Sequence, residues 1–349
     1  MVMSSRKLAV SVSSLIVVGA IGGAAVLARA AAGQGATGLS TAEAMARPPV
    51  TKAEYQKYQT EYTNWGRWGK DDQNGTLNLI TPAKRKQAAA LVKDGITVSL
   101  SQDESPDKSI DNPNPIDWAM LNASQSGAGD RVGWPGVHGA GHTHFDAFAH
   151  VFFDGKMWNG QPVADVVTKE KGAAKMSILD VKNGVMTRGV LYDIPRLKGV
   201  DYLEPGVRVF PEDLEAWEKK AGVKVGPGDA FIFRWGRWAR RAKIGTYDVN
   251  KEQAGLDNSV IPWLKKRDIA ILVWESPDYA PRPAGDELGG IALHNFVLTH
   301  LGVHILDRAN LDALAAAAAQ RNRWEFMLTI APLAIPHGTG SPVNPIAAF

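Results

Sequence analysis

The sequence predicts an α/β fold, a single-domain mixed β-sheet flanked by helices, and two observations support this prediction. Short apolar runs rich in β-branched and aromatic residues recur in the second half of the chain, and segments with helix start and stop signals lie between them. With 349 residues, 45% of them hydrophobic, the chain can bury a full core. The sequence has neither coiled-coil heptads nor a repeat of roughly 20 to 50 residues, which argues against a solenoid.

The first residues are predicted to direct export rather than to join the core. Arg6 and Lys7 precede an uncharged run over residues 8–28, and Ala28-Arg29-Ala30 has the form of a signal-peptidase site. Residues 1–30 are therefore predicted to be a signal peptide, and the mature protein is expected to be periplasmic or secreted. An uncleaved membrane anchor is the alternative, although many Gly, Ala and Ser residues make the run weakly hydrophobic.

Composition narrows the class of the mature protein. Residues 31–50 are small, polar and proline-containing, which predicts a disordered linker ahead of a folded domain over residues 51–349. Removing residues 1–30 takes away three basic residues and no acidic one, so the mature chain is formally neutral. This neutrality argues against a nucleic-acid partner and against stable membrane association. Cysteine is absent, which leaves His, Asp and Glu as the available metal ligands.

The secondary-structure elements can be justified in chain order. Thr81 is a suitable N-cap, Pro82 stands at the first helical position and Gly95 at the end, so a helix is predicted between them. The predicted buried strands cover residues 189–194, 230–235, 269–274 and 326–331. The other predicted helices cover residues 211–221, residues 293–301 and a segment that Asn310 can cap.

Four of the eight histidines lie within residues 138–150, in the stretch HGAGHTHFDAFAH. Residues two apart in an extended segment point to the same face, so His142, His144 and Asp146 are expected to converge. Imidazole and carboxylate are ligands for Zn²⁺ or Mn²⁺, and a partly open site keeps a water whose pKa the ion lowers toward about 7. Ordinary solvated or core histidines are the alternative, and the clustering favours a divalent metal site.

The same stretch resembles a motif of the cyclase family of metal-dependent hydrolases, which includes bacterial kynurenine formamidases and isatin hydrolases. The family motif is H-x-G-T-H-x-D-x-P-x-H, and AGHTHFDAFAH matches it at Thr143, His144, Asp146 and His150. It departs at positions 140, 142 and 148, where Ala, His and Phe replace His, Gly and Pro. The first metal ligand of the family must therefore come from elsewhere, and His138 or His142 is the natural substitute.

Other stretches extend the resemblance over residues 64–347. NWGRWGKDDQNGTLNLITP and PHGTGSPVNPIA are similar to the longer family members, and LHNFVLTHLGVHILDRANLDALA resembles the family's histidine followed by an acidic residue ahead of a leucine-rich helix. His294 and Asp307 occupy those two places. The family usually has glutamate at the second, so the shorter aspartate would need a water or a shifted strand to reach the site.

The resemblance implies a swivelling β/β/α cyclase-like fold, a homo-oligomer, and arylformamidase-like hydrolysis of a small aromatic amide or lactam, of the N-formylkynurenine type. It also implies that His144, Asp146 and either His138 or His142 hold one divalent ion, Zn or Mn, while His150 acts as general acid and base. His294 and Asp307 are the further catalytic candidates. Because export argues against tryptophan catabolism, ring opening of a cyclic amide or lactone, as by isatin hydrolases, is the second hypothesis. A non-catalytic exported metal- or ligand-binding protein is the third.

Overall fold

The computed structural model describes residues 38–349, so the predicted signal peptide and residues 31–37 of the predicted linker lie outside the described residues. The helices are α1 (Thr41–Ala46), α2 (Lys52–Glu61), α3 (Pro82–Ala89), α4 (Val163–Val166), α5 (Ile194–Lys198), α6 (Pro211–Ala221), α7 (Arg237–Ile244), α8 (Ile261–Arg267), α9 (Ala292–Phe296) and α10 (Asp312–Arg321). The strands are β1 (Thr97–Ser99), β2 (Asp117–Ala123), β3 (Ala128–Gly133), β4 (His144–Asp146), β5 (Val167–Thr168), β6 (Gly172–Ala173), β7 (Val185–Asp193), β8 (Arg208–Val209), β9 (Ala230–Arg234), β10 (Gly255–Leu256), β11 (Ile271–Trp274), β12 (His304–Asp307), β13 (Glu325–Ile330), β14 (Gly340–Pro342) and β15 (Ile346–Ala348).

Nine strands form one mixed sheet in the order β1-β15-β13-β7-β9-β11-β12-β4-β14. Strands β7, β9, β11 and β12 run parallel in its centre, and antiparallel pairs continue the sheet on both sides. Central parallel strands are covered on both faces, so their sequences are continuous apolar runs rather than alternating ones. The predicted strands coincide with β7, β9, β11 and β13, and the predicted mixed α/β fold class is confirmed.

The helix predictions differ from the structure mainly at the helix ends. Helix α3 begins at Pro82, and the Thr81 side chain accepts a hydrogen bond from the Lys84 amide as expected, but the helix ends at Ala89 rather than near Gly95. Helix α6 has the predicted bounds. The helix predicted over residues 293–301 is α9 followed by a π-helical turn, Val297–Leu301.

Part of the segment predicted to be a disordered linker is helical. Helix α1 lies within residues 31–50, and Ser40 and Glu43 form a reciprocal capping box at its start. The buried guanidinium of Arg208 donates to the carbonyl of Ala44, with Nη2 to O at 2.9 Å. A tertiary contact of this kind has no apolar periodicity, so sequence pattern alone does not show it.

The segment ahead of α3 packs closely against the loop that leads into β12. Gly75 has a φ of 54°, and a Cβ atom there would lie 2.1 Å from the carbonyl oxygen of Gly302. The Thr76 amide donates to that same oxygen at 2.7 Å. Only glycine permits this approach, which holds the start of β12 in place. Across residues 38–349, every helix falls short of the length and apolar character that a membrane span requires.

Candidate metal centre and active site

Strand β4 carries the centre of the site and lies between β12 and β14. His144 is paired with Asp307 of β12, and Asp146 is paired with Gly340 of β14. Side chains alternate along a strand, so His144 and Asp146 share one face while Phe145 points to the other. This register places a carboxylate and an imidazole side by side in a fully buried position.

Imidazole groups surround the carboxylate of Asp146. Nδ1 of His138 lies 2.9 Å from Oδ1, and Nε2 of His294 lies 3.2 Å from Oδ2. Nε2 of His144 lies 3.5 Å from Oδ1. The ring of His150 stacks on that of His138, with 3.4 Å between the ring centroids. Four histidines from two parts of the chain, residues 138–150 and α9, therefore meet at one acidic side chain.

Three of these residues have the spacing of a metal-binding group. One potential ligand atom from each of His138, Asp146 and His150 lies within 4.8 Å of the others. Imidazole nitrogen and carboxylate oxygen are the donors that zinc and manganese accept. The residues present therefore fit a divalent cation.

The pKa shifts leave these groups in the protonation states that bind metals. Burial by itself raises the pKa of Asp146, but the neighbouring charges of His150 and His144 and hydrogen bonds from His138 and His294 hold it well below its usual range. Burial lowers the pKa of His150 to about 4, and burial also lowers the pKa of His144. At neutral pH Asp146 is therefore a carboxylate anion, and His144 and His150 are uncharged imidazoles.

The structure brings His138, and not His142, to the cluster. Nδ1 of His142 lies 2.6 Å from Oε2 of Glu104, and Nε2 lies 2.7 Å from the carbonyl oxygen of Asn114. The expected convergence of His142 with His144 and Asp146 is wrong because β4 starts only at His144, so the alternation of an extended strand does not include residue 142. Of the two substitutes expected for the motif's first histidine, His138 is the one that contacts Asp146.

His294 and Asp307 also lie near the centre, at different distances. His294 comes from α9 and contacts Asp146 directly, whereas Oδ2 of Asp307 stays 4.0 Å from Nε2 of His144. Oδ1 of Asp307 accepts the backbone N–H of Arg308 at 2.8 Å. The shorter acid thus stops outside hydrogen-bond distance of the cluster, as its missing methylene suggests.

Two contacts to the cluster were not predicted from the sequence. Oγ1 of Thr339 lies 3.0 Å from Nε2 of His138, and Nδ1 of His304 donates to the carbonyl oxygen of Asp146 at 2.9 Å. Thr339 and His304 both lie in stretches that resemble the family. Their place in those stretches was the sequence signal that could have pointed to them. Burial lowers the pKa of His304 to about 4, so its ring is neutral and serves to hold β4 against β12.

Comparisons with known proteins identify the family of the chain. Residues 88–281 match the model of the Cyclase family. The crystal structure of a novel cyclase is 30% identical with a TM-score of 0.72, over 83% of this chain and 99% of that chain. No curated protein matches.

Two isatin hydrolase structures share the fold. Isatin hydrolase A from Labrenzia aggregata, bound to benzyl benzoate, is 18% identical with a TM-score of 0.52, over 72% of this chain and 93% of that one. An isatin hydrolase bound to the product analogue thioisatinate is 18% identical with a TM-score of 0.51, over 76% and 97%. The resemblance found in the sequence is thus confirmed, and this chain belongs to the Cyclase family of metal-dependent hydrolases.

Proposed function

We propose that this protein hydrolyses the C–N bond of a small aryl amide, in the manner of an arylformamidase. The observation that carries the proposal is the buried carboxylate of Asp146 with histidines at both oxygens, in a chain of a hydrolase family. Aromatic substrates are supported by the solved isatin hydrolases, one of which holds benzyl benzoate and another thioisatinate.

We propose that His138, His144 and Asp146 would hold a divalent ion, zinc or manganese. His150, which also has a ligand atom within 4.8 Å of those of His138 and Asp146, is instead proposed for proton transfer. When bound, such an ion polarises a carbonyl group and lowers the pKa of water. Asp146 provides the anionic donor, and His294 keeps its second oxygen oriented by a contact of 3.2 Å. Oγ1 of Thr339, 3.0 Å from Nε2 of His138, limits the rotation of that ring.

His150 is the group proposed to move the proton. Burial lowers its pKa to about 4, so a ring nitrogen is free at pH 7 to accept a proton from water. The same nitrogen then returns that proton to the departing amide nitrogen, which leaves as a neutral amine. The negative charge of Asp146 favours the protonated ring of His150 during this transfer.

Replacing His150 with alanine separates proton transfer from metal binding. We expect His150→Ala to keep its metal content and to lower kcat by roughly 10²- to 10⁴-fold, because only the proton-transfer group is removed. Metal content by mass spectrometry and turnover of formanilide are measured on the same preparation. His142→Ala is the matched control, since His142 binds Glu104 instead of the cluster, and it should keep both properties. Loss of metal from His150→Ala would show that His150 is a ligand instead.

A second candidate function is ring opening of a cyclic amide or lactone, which the isatin hydrolase structures favour. Both reactions attack an acyl carbon with water, so the substrate separates them. A panel of formanilide, isatin, other lactams and aryl lactones should show highest kcat/KM for the open-chain amide. If isatin is preferred, the second candidate replaces the first, and tight metal binding without any turnover would contradict both.

We further propose that the protein is exported and that residues 1–30 are removed. The evidence is the Arg6-Lys7 pair, the uncharged run and the Ala28-Arg29-Ala30 site. Intact-mass measurement of protein from the periplasmic and extracellular fractions is expected to show a chain that starts at Ala31. A chain that retains Met1 and fractionates with membranes would support the uncleaved anchor.

A further inference from the structure

Two buried arginines lie beside the metal centre. Arg237 is 1% exposed and Arg308 is 7% exposed. Arg308 directly follows Asp307 at the end of β12, and its Nε lies 3.6 Å from Oδ2 of Asp307. That same oxygen is 4.0 Å from His144, so Asp307 lies between the guanidinium of Arg308 and the cluster.

The guanidinium groups of the two arginines differ in how many of their N–H donors have a hydrogen-bond partner. Arg237 donates to the carbonyl oxygens of Glu275 and Ala140, at 3.1 and 2.7 Å. Within residues 38–349, Nε and Nη1 of Arg308 are buried and have no hydrogen-bond partner. Nη2 has one long contact, 3.5 Å from Oδ1 of Asn250. A buried guanidinium with unused donors is costly unless a ligand completes it.

The local charge points to an anionic ligand. Among the described residues Arg237 has no ion pair, and Arg308 has only the long contact to Asp307. Burial, and then the positive charge of Arg308, lower the pKa of Arg237 to about 10. Asp307 and Glu275 are the acidic groups that act on Arg237, whereas Arg308 has only Asp307, whose carboxylate also faces His144. Buried charges are normally paired, so the guanidinium of Arg308 lacks a close anionic partner.

The backbone fixes the position of Arg308. Its φ is 59°, an unusual conformation for a residue with a side chain, and its carbonyl oxygen accepts from Oγ1 of Thr143 at 2.8 Å. Thr143 is the neighbour of His144, and the following amide, of Ala309, donates to Trp274 at 3.0 Å. The guanidinium is therefore held on the same framework as the metal ligands.

We propose that Arg308 binds a carboxylate group of the substrate and that the protein acts on anionic aryl amides. This inference rests on the proposed amide hydrolysis and adds the substrate class. A planar guanidinium matches a carboxylate in geometry and charge. One carboxylate would supply the anionic partner that Arg308 lacks. A phosphate dianion carries twice that charge, so Asp307 and Asp146 would repel it more strongly.

The test compares carboxylated and neutral substrates of matched size. The series is 2-, 3- and 4-formamidobenzoate, each beside the corresponding formamidobenzamide, with formanilide as the parent compound. We expect one carboxylate isomer to have a kcat/KM at least about tenfold above that of its amide, mainly through KM. In Arg308→Met this ratio should fall by roughly 10- to 100-fold, the effect of losing a charge-assisted hydrogen bond. Arg308→Lys keeps the charge without the planar fork and should retain part of the preference.

Arg321→Met is the matched control, because Arg321 pairs with Asp94 at the other end of the sheet and should keep the wild-type ratio. Stabilisation by benzoate gives a second measurement that does not depend on turnover. Benzoate should raise the Tm of the metal-loaded wild type and not that of Arg308→Met, while folding of each variant is checked by circular dichroism.

Hydrolysis of carboxylates and amides without preference would overturn this inference and leave the proposed function standing. Hydrolysis of neither would instead refute the proposed function, and a benzoate shift that persists in Arg308→Met would place the carboxylate elsewhere.

Discussion

Asp146→Asn is expected to lose the metal ion and to lower kcat by roughly 10³-fold or more. Asp146 is fully buried, and within residues 38–349 it is the one acidic side chain within hydrogen-bond distance of His138 and His294. The amide has nearly the same shape but no negative charge, so it cannot balance a divalent cation among neutral imidazoles. Metal content and turnover of formanilide, measured at equal protein concentration, report the two losses.

Asp229→Asn is a matched control for this variant. Asp229 is also fully buried, but it pairs with Arg188 and Lys84 at a distance from the cluster. Its replacement should lower Tm while the metal content and kcat of the folded protein are kept. If Asp146→Asn retained a full equivalent of metal and turnover, the proposed centre would be wrong.

Acidification is expected to destabilise the protein between pH 6.5 and pH 4, partly through His300. Burial lowers the pKa of His300 to about 4, from the usual 6.5. In this window the unfolded chain binds a proton that the folded protein does not, so the free energy of unfolding falls as the pH falls. The contribution of His300 is present above pH 6.5 and is lost toward pH 4, a loss of roughly 2 to 3 kcal/mol by pH 4.5.

His300→Phe isolates this contribution. The ring stacks between Trp65 and Phe296, with centroids 5.0 and 4.9 Å away, so phenylalanine suits the position and does not titrate. Denaturant unfolding at pH 7.0 and 4.5 should show a smaller acid-induced loss in the variant than in the wild type. An unchanged loss in His300→Phe would rule out His300 as a source of acid sensitivity.

The elements that could be predicted from the sequence are those with a strong local signal. The central strands are recognisable because strands covered on both faces are continuous apolar runs. Helix α6 is recognisable because Pro211 starts it and Gly222 ends it in a left-handed conformation. Helix α1 was missed, since its stability depends on Ser40 and on a contact with Arg208 from far along the chain.

The residues of the candidate site also divide into those with a local sequence signal and those without one. His144, Asp146 and His150 could be selected from a compact motif, and His294 only from the family resemblance. Spacing alone could not decide between His138 and His142, because the path of the loop before β4 determines which ring faces Asp146. Arg308 was not selected at all, since a lone arginine after a strand has no distinctive pattern, and only its burial and unused donors reveal it.

The order of the chain has a consequence for biosynthesis. Residues 138–150 leave the ribosome long before β12 and β14, which flank β4 in the finished sheet. A nascent polypeptide therefore carries its histidine-rich stretch without Asp307, Thr339 or Gly340 around it. The strands that flank β4 are complete only after synthesis has passed residue 342, so the geometry of the proposed metal centre forms at the very end of translation or after it.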